Sequence, residues 1–157
     1  VTGQARSTTE GKDDCVFCQA LKLGPGAESL ILTQDDLAFT VLNKYPYNPA
    51  HLLVLPTRHI ADLTDLTKDE LLAIQLQIQT GLQIVRQVYS PAAFNLGVNL
   101  GRAAGAGLPG HLHHHVVPRW SGDTNFFPLM SGAKVVSESL EQTFSRLWAV
   151  YQNGNKK

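Results

Sequence analysis

The stretch GHLHHHVVPRW, Gly110 to Trp120, holds four histidines within five residues. A strand points successive side chains to opposite faces. His111, His113 and His115 therefore share one face, while Leu112, His114 and Val116 take the other. Three imidazoles on one face can be a surface patch, a metal site or a site of chemistry. The run is internal and continues into Val116-Val117-Pro118, unlike an appended tag. Alternate residues of one straight strand converge poorly on a single ion. Chemistry is the favoured reading.

The segment just upstream sharpens it. GRAAGAGLPG, residues 101–110, is a glycine-rich loop that feeds directly into the histidines. A loop with so few side chains lets backbone N–H groups approach an anion. Before it, AFNLGVNL alternates, with Phe94, Leu96, Val98 and Leu100 on one side and Asn95, Gly97 and Asn99 on the other. That is the pattern of a half-buried strand. Asn99 would then face the same anion as the loop. A phosphate held against a neutral imidazole points to phosphoryl or nucleotidyl transfer through a covalent histidine.

Working outward, ESLILTQDDLAFTVLN predicts a hairpin, with strands over Leu30–Thr33 and Leu37–Asn43. HLLVLPT is apolar throughout and predicts a central strand. Thr67 and Glu70 form a capping-box signature opening a long helix to about Tyr89, with Pro91 just beyond. Leu71, Ile74, Ile78, Leu82, Val85 and Tyr89 make its apolar stripe, and Gln75, Gln79, Gln83 and Gln87 lie on another face. Ser139 with Gln142 predicts the cap of a last helix, whose stripe is Leu140, Phe144, Leu147, Trp148 and Tyr151. A short helical piece is expected over Gln19–Leu23, stopped by Gly24-Pro25-Gly26. The economical class is α+β, an antiparallel sheet with two main helices.

The chain has 157 residues, enough for one core. Residues 1–14 are polar and read as a flexible arm without a secretory h-region, and residues 15–157 as a single domain. Thirteen basic residues balance thirteen acidic ones, which argues against a nucleic-acid partner. A basic spot would need folding to gather Lys44, Arg58, Arg102 and Arg119. No run is long and apolar enough for a membrane span. The only cysteines, Cys15 and Cys18, lie too close together for a disulfide framework, and a cytoplasmic location is expected.

The motif HLHHHVV fits His-x-His-x-His followed by two apolar residues and resembles the histidine-triad superfamily. CVFC, VLNKYPYNPAHLLVLPTRHIADLTDL, NLGRAAGAGLPGHLHHHVVPRW and GDTNFFP carry the resemblance from about Cys15 to Pro128. VVPRWSGDTNF looks most like the branch with bacterial diadenosine tetraphosphate phosphorylases and fragile-histidine-triad hydrolases. The resemblance implies a five-stranded antiparallel sheet with a long and a C-terminal helix, a homodimer, and attack on a nucleotide α-phosphate.

Carried onto this chain, His113 is the nucleophile and His115 hydrogen-bonds the phosphate or bridging oxygen. Asn99 and the backbone of Gly105, Ala106 and Gly107 hold nonbridging oxygens. Asn43 matches the residue gripping the ribose, and otherwise simply ends its strand. His51 matches a further active-site histidine, and otherwise is a satisfied core residue. Trp120 either borders the base pocket or packs. In relatives with a Cys-x-x-Cys pair, zinc is completed by histidines that correspond here to His59 and His111. Cys15, Cys18, His59 and His111 would form a closed structural site, the alternative being a packed pair without metal.

Two departures stand out. His114 replaces a usual apolar residue and faces away from the triad. GAGLPG lacks the Gly-Gln-Ser or Gly-Gln-Thr that many members carry, which weakens any simple transfer of hydrolase specificity. The implied activity is cleavage of diadenosine tetraphosphate-like substrates through a nucleotidyl-histidine. Phosphorolysis is slightly favoured over hydrolysis, with dinucleoside triphosphates or nucleoside phosphoramidates as alternative substrates. A rival of another class is a non-catalytic nucleotide-binding regulator.

Overall fold

The structure is a computed structural model, and it describes residues 11–123 and 138–154. The predicted arm lies largely outside these residues, as does most of GDTNFFP; within them, residues 11–14 close a turn through Asp14 N–H to the Gly11 carbonyl.

Five strands form one sheet: β1 (Ile31–Gln34), β2 (Ala38–Leu42), β3 (Leu52–Pro56), β4 (Ala93–Val98) and β5 (His114–Arg119). Their spatial order is β1-β2-β3-β5-β4, and every neighbouring pair is antiparallel. The histidine strand is thus interior, between the fully buried β3 and the edge strand β4. This is the predicted α+β architecture.

Each face of the sheet has its own core. On one, α2 (Lys68–Tyr89) and the C-terminal α3 (Leu140–Gly154) pack against Leu42, Leu52, Val54 and Val116. On the other, α1 (Val16–Leu23) lays Cys15, Phe17 and Cys18 over Ile31, Phe39, Val41, Leu53 and Leu55. Both faces of β2 and β3 are covered, which is why their sequences are apolar without alternation. Among the described residues no helix is long and apolar enough to cross a membrane.

The capping box forms as expected. Thr67 accepts from Glu70 N–H, and the Glu70 carboxylate accepts from Thr67 N–H. Arg58 adds a two-pronged ion pair to the same carboxylate, at 2.8 Å through both Nε and Nη2. That pair holds Glu70 down at about 2, outweighing the opposing effect of burial. Ser139 and Gln142 form the reciprocal cap at the start of α3.

Three expectations shift. The first helix starts at Val16 rather than Gln19, so Cys15 sits at its N-cap and Cys18 one turn on, both turned inward. Leu71 is 40% exposed, because the buried face of α2 runs through Ile74, Gln77, Ile78, Gly81, Ile84 and Val85. Leu96 and Leu100 are 54% and 41% exposed. Helix α2 lies over β2, β3 and β5 and leaves the edge strand largely uncovered. Arg58 and Arg119, two residues of the suggested basic spot, pair with Glu70 and Asp123 respectively.

Candidate active site and metal centre

Strand register sets the site out as a lattice. Leu53 and Gly97 flank His115 on the neighbouring strands, and Leu52 and Leu96 flank Val116. On the α1 face, β5 therefore presents His115, Val117 and Arg119 in sequence, with His113 and His111 in the segment leading in. His51 stands beside this row at the start of β3, and Asn43 is next to it, donating its backbone N–H to the His51 carbonyl.

Hydrogen bonds fix which ring nitrogen carries each proton. Tyr47 N–H donates to His51 Nδ1 at 3.1 Å. The Asn43 side chain accepts from Tyr45 N–H with its oxygen, so its amide nitrogen, 3.2 Å from His51 Nδ1, is a second donor there. With Nδ1 accepting, neutral His51 is protonated on Nε2, which donates to His115 Nδ1 at 2.9 Å. Neutral His115 must then carry its own proton on Nε2. That nitrogen is buried and has no hydrogen-bond partner among the described residues. His113 is set the other way: its Nδ1, 2.8 Å from the His111 carbonyl, must donate, leaving the lone pair on Nε2.

Both relay histidines are held neutral. Burial, reinforced by His115 and His113, pushes His51 down to about 3. Burial, then His113 and His114, pushes His115 down to about 4. The geometry thus supplies a ring nitrogen with a lone pair beside a ring N–H donor, their ring centroids 5.1 Å apart. Phe17 stands 5.6 Å from the His113 ring and Tyr47 stacks on His51 at 4.9 Å, bracketing the pair.

Asn99 and the glycine-rich loop lie beside this pair. Asn99 and His115 line one groove, and a Cβ on Gly105 would come within 3.9 Å of the Asn99 amide nitrogen. The loop's own turn corrects one expectation. Gly105 N–H donates to the Arg102 carbonyl and Ala106 N–H to the Gly101 carbonyl, so these two donors are engaged internally. Gly107 N–H takes no part in that turn. Trp120 follows β5, with its backbone N–H on Asp123. His114 faces away as expected, and burial lowers its pKa.

Cys15, Cys18, His59 and His111 converge, their candidate ligand atoms all within 4.8 Å of one another. His111 Nε2 donates to the Pro56 carbonyl at 2.9 Å, which turns the lone pair of Nδ1 toward both sulfurs, at 3.4 and 3.6 Å. His59 Nδ1 is 3.3 Å from Cys18 Sγ. Tetrahedral zinc with ordinary Zn–S and Zn–N bonds separates S and N by about 3.6 Å, so the cluster fits a metal ion. Burial and the neighbouring Cys15 push the Cys18 thiol up to about 11, a cost that a bound cation reverses. His111 thus turns to the cysteines, while His115 lines the groove with the His113 ring beside it.

Sequence reasoning did not single out Tyr47 or the buried Asn48. Asn48 donates to Asp123 and to the Pro118 carbonyl, while Arg119 pairs with both oxygens of Asp123. These partners are up to 75 residues apart, and no local pattern announces them.

A HIT domain family model matches residues 25–122. A protein of Mycobacterium tuberculosis named AP-4-A phosphorylase is 44% identical over 116 residues, which make up 74% of this chain and 60% of that protein. The chain thus spans about three-fifths of that relative. The Bis(5'-nucleosyl)-tetraphosphatase [asymmetrical] of Schizosaccharomyces pombe is 31% identical over 129 residues, 82% of this chain and 67% of that protein. A crystal structure of a Zn-bound histidine triad family protein from Mycobacterium smegmatis superposes with a TM-score of 0.73 at 26% identity, covering 92% of this chain and 98% of that one. Fold, motif spacing and family match agree, and the chain belongs to the HIT domain family.

Proposed function

We propose that this chain is an enzyme that cleaves dinucleoside polyphosphates of the diadenosine tetraphosphate kind, using His113 as nucleophile and inorganic phosphate as acceptor. The observation that carries this reading is the opposite protonation of two adjacent rings: a lone pair on His113 Nε2, and a buried N–H without a partner on His115 Nε2. The names of the relatives point to the same substrate class.

His113 Nε2 attacks the α-phosphorus and forms a P–N bond. The P–O bond to the bridging oxygen breaks, and its electron pair departs with the nucleoside polyphosphate. His115 Nε2–H donates a hydrogen bond to that oxygen. A polyphosphate departs as an anion and needs a hydrogen bond rather than a full proton, which suits a histidine held neutral. Asn99 and Gly107 N–H hold nonbridging oxygens, Gly105 and Ala106 shape the loop, and Trp120 borders the base. Asn43 fixes the protonation of His51 and reaches the ribose. An oxygen of inorganic phosphate then attacks phosphorus, the P–N bond breaks back onto Nε2, and a nucleoside diphosphate leaves.

Residues 15–157 act as one domain. The ion held by Cys15, Cys18, His59 and His111 is zinc and is structural, because four protein ligands leave no open position. The chain works as a homodimer. The exposed edge strand β4, with Leu96 54% exposed, supports this, since an unpaired apolar edge is otherwise an aggregation liability.

The test is incubation with diadenosine tetraphosphate, with and without inorganic phosphate, followed by product chromatography. Phosphate-dependent ADP plus ATP is expected. AMP plus ATP independent of phosphate overturns the acceptor, and no turnover overturns the enzyme. His113→Ala is expected to bind nucleotide without turning it over.

A further inference from the structure

The loop between β2 and β3 ends in a turn that its own backbone resists. His51 N–H donates to the Asn48 carbonyl at 3.2 Å, so Asn48, Pro49, Ala50 and His51 close a four-residue turn. Proline second and a positive φ third fit a type II turn, whose third position favours glycine. Here that position is Ala50, at φ 58° and buried. A residue with a Cβ is strained there, and such a conformation persists only where the surroundings over-determine it.

Asn48 supplies that restraint. Its side chain is buried and reaches from the loop to the end of β5. Nδ2 donates to the Pro118 carbonyl at 2.6 Å and to Asp123 Oδ2 at 2.9 Å. Both partners accept, so the amide faces them through its nitrogen, and both of its N–H bonds are used. Asp123 is itself held, by Arg119 Nε and Nη2 at 2.6 and 2.8 Å and by Trp120 N–H. The same guanidinium donates to Asn95 on β4. The loop is thus tied across β5 as far as the edge strand.

What the tether holds in place lies one residue upstream. Tyr47 N–H donates to His51 Nδ1 at 3.1 Å. The other donor there, the Asn43 amide nitrogen at 3.2 Å, is oriented by Tyr45 N–H on its oxygen, again from this loop. Both donors on Nδ1 therefore depend on where the loop sits.

We propose that Asn48 is a positioning residue for the reacting histidines: by tying the loop to Pro118 and Asp123 it keeps both donors on His51 Nδ1 and so fixes which nitrogen of His115 carries the proton. The use of that proton rests on the function proposed above, whereas the tautomer is a property of the chain without substrate. The route runs from Asn48 through the loop to His51, and from His51 Nε2 to His115 Nδ1.

The experiment reads the imidazole nitrogens by long-range ¹H–¹⁵N correlation in the protein as purified, without nucleotide, at neutral pH where His51 and His115 are uncharged. Wild type is expected to show one tautomer at each of these rings, protonated on Nε2. Asn48→Ala is expected to show both tautomers at His51 and His115, with kcat for diadenosine tetraphosphate lowered at least about tenfold and KM changed less than about threefold. Adding Ala50→Gly, which lets the turn form without strain, is expected to restore the single tautomer and most of kcat. A merely structural Asn48 would lower Tm and leave the nitrogen signals as in wild type, and that result overturns the proposal. If Asn48→Ala does not fold, Asn48→Ser, with one donor of shorter reach, is read in the same way. The nitrogen signals decide the matter even where wild type cleaves no dinucleotide, a result that would strike the proposed function alone.

Discussion

His51 Nε2 lies 2.9 Å from His115 Nδ1, and this contact determines which end of His115 faces the groove. Without it, His115 could carry its proton on either nitrogen, and only one tautomer offers an N–H to a departing oxygen. His51 is completely buried, so in the proposed mechanism it acts through His115, as a positioning residue.

Replacing His51 by Leu should therefore lower kcat by about a hundredfold, within the usual range for misplacing a proton-bearing group, while KM changes less than threefold. His51→Gln, whose amide can still donate to His115, should recover part of the loss. Steady-state kinetics on the three proteins checks this. Equal rates in wild type and His51→Leu would show that His115 needs no partner to orient it.

The four-residue cluster makes a separate prediction about stability. Besides packing on the sheet, Cys15 and Cys18 would be joined through a bound ion to His59 and His111, which come from just after β3 and from the start of the histidine run. Protein purified without nickel chromatography should contain about one zinc per chain by metal analysis. Cys15→Ser, or extraction with a strong chelator, should lower Tm by at least about 10 °C, the scale expected for losing a few kcal/mol in a domain of this size. Metal-free protein of unchanged Tm would rule out a structural role.

How much of this was legible beforehand depended on whether the signal was local. Both capping boxes and the buried hairpin are near-neighbour patterns, and each formed, whereas the strand expected from His111 begins only at His114, with His111 and His113 in the segment leading in. The outward Leu96 and Leu100 obey the same alternation as a covered strand, because period two says which residues share a face and not what covers it. The buried Asn48 and its carboxylate Asp123 meet across 75 residues, a closure that depends on the loop before β3 lying beside the end of β5. The metal ligands followed from a family pattern, since two cysteines alone do not name their histidines.

Neutral buried histidines should make stability depend on pH in a definite direction. His51 and His115 titrate at about 3 and about 4 when folded, below the 6.5 of an unperturbed imidazole. As pH falls through 6.5 the unfolded chain binds protons that the folded chain refuses. Their contribution is thus fully present above 6.5 and is lost as pH falls toward 4 and then 3. The limiting slope is about 1.4 kcal/mol per pH unit for each fully shifted histidine. Tm measured in zinc-saturated buffer should fall between pH 6.5 and 5, where the carboxylates still stay ionised, and His115→Gln should flatten the decline. A level Tm across that interval would contradict neutral burial.

The Arg58–Glu70 pair offers a test far from the reacting groups. The Glu70 side chain is only 6% exposed, and its carboxylate serves two masters, capping α2 through Thr67 N–H and pairing with Arg58. Arg58→Met keeps much of the aliphatic stem but leaves that carboxylate buried without its cation. Because the Arg58 side chain is 49% exposed, the expected cost is smaller than for a pair buried on both sides. Glu70 titrates at about 2 when folded against 4.5 ordinarily, so its contribution is present above 4.5 and lost as pH falls toward 2. The variant should accordingly lose less stability than wild type on acidification from pH 5 to 3, as read by urea denaturation at each pH. Parallel losses in the two proteins would mean that Arg58 does not hold this carboxylate ionised.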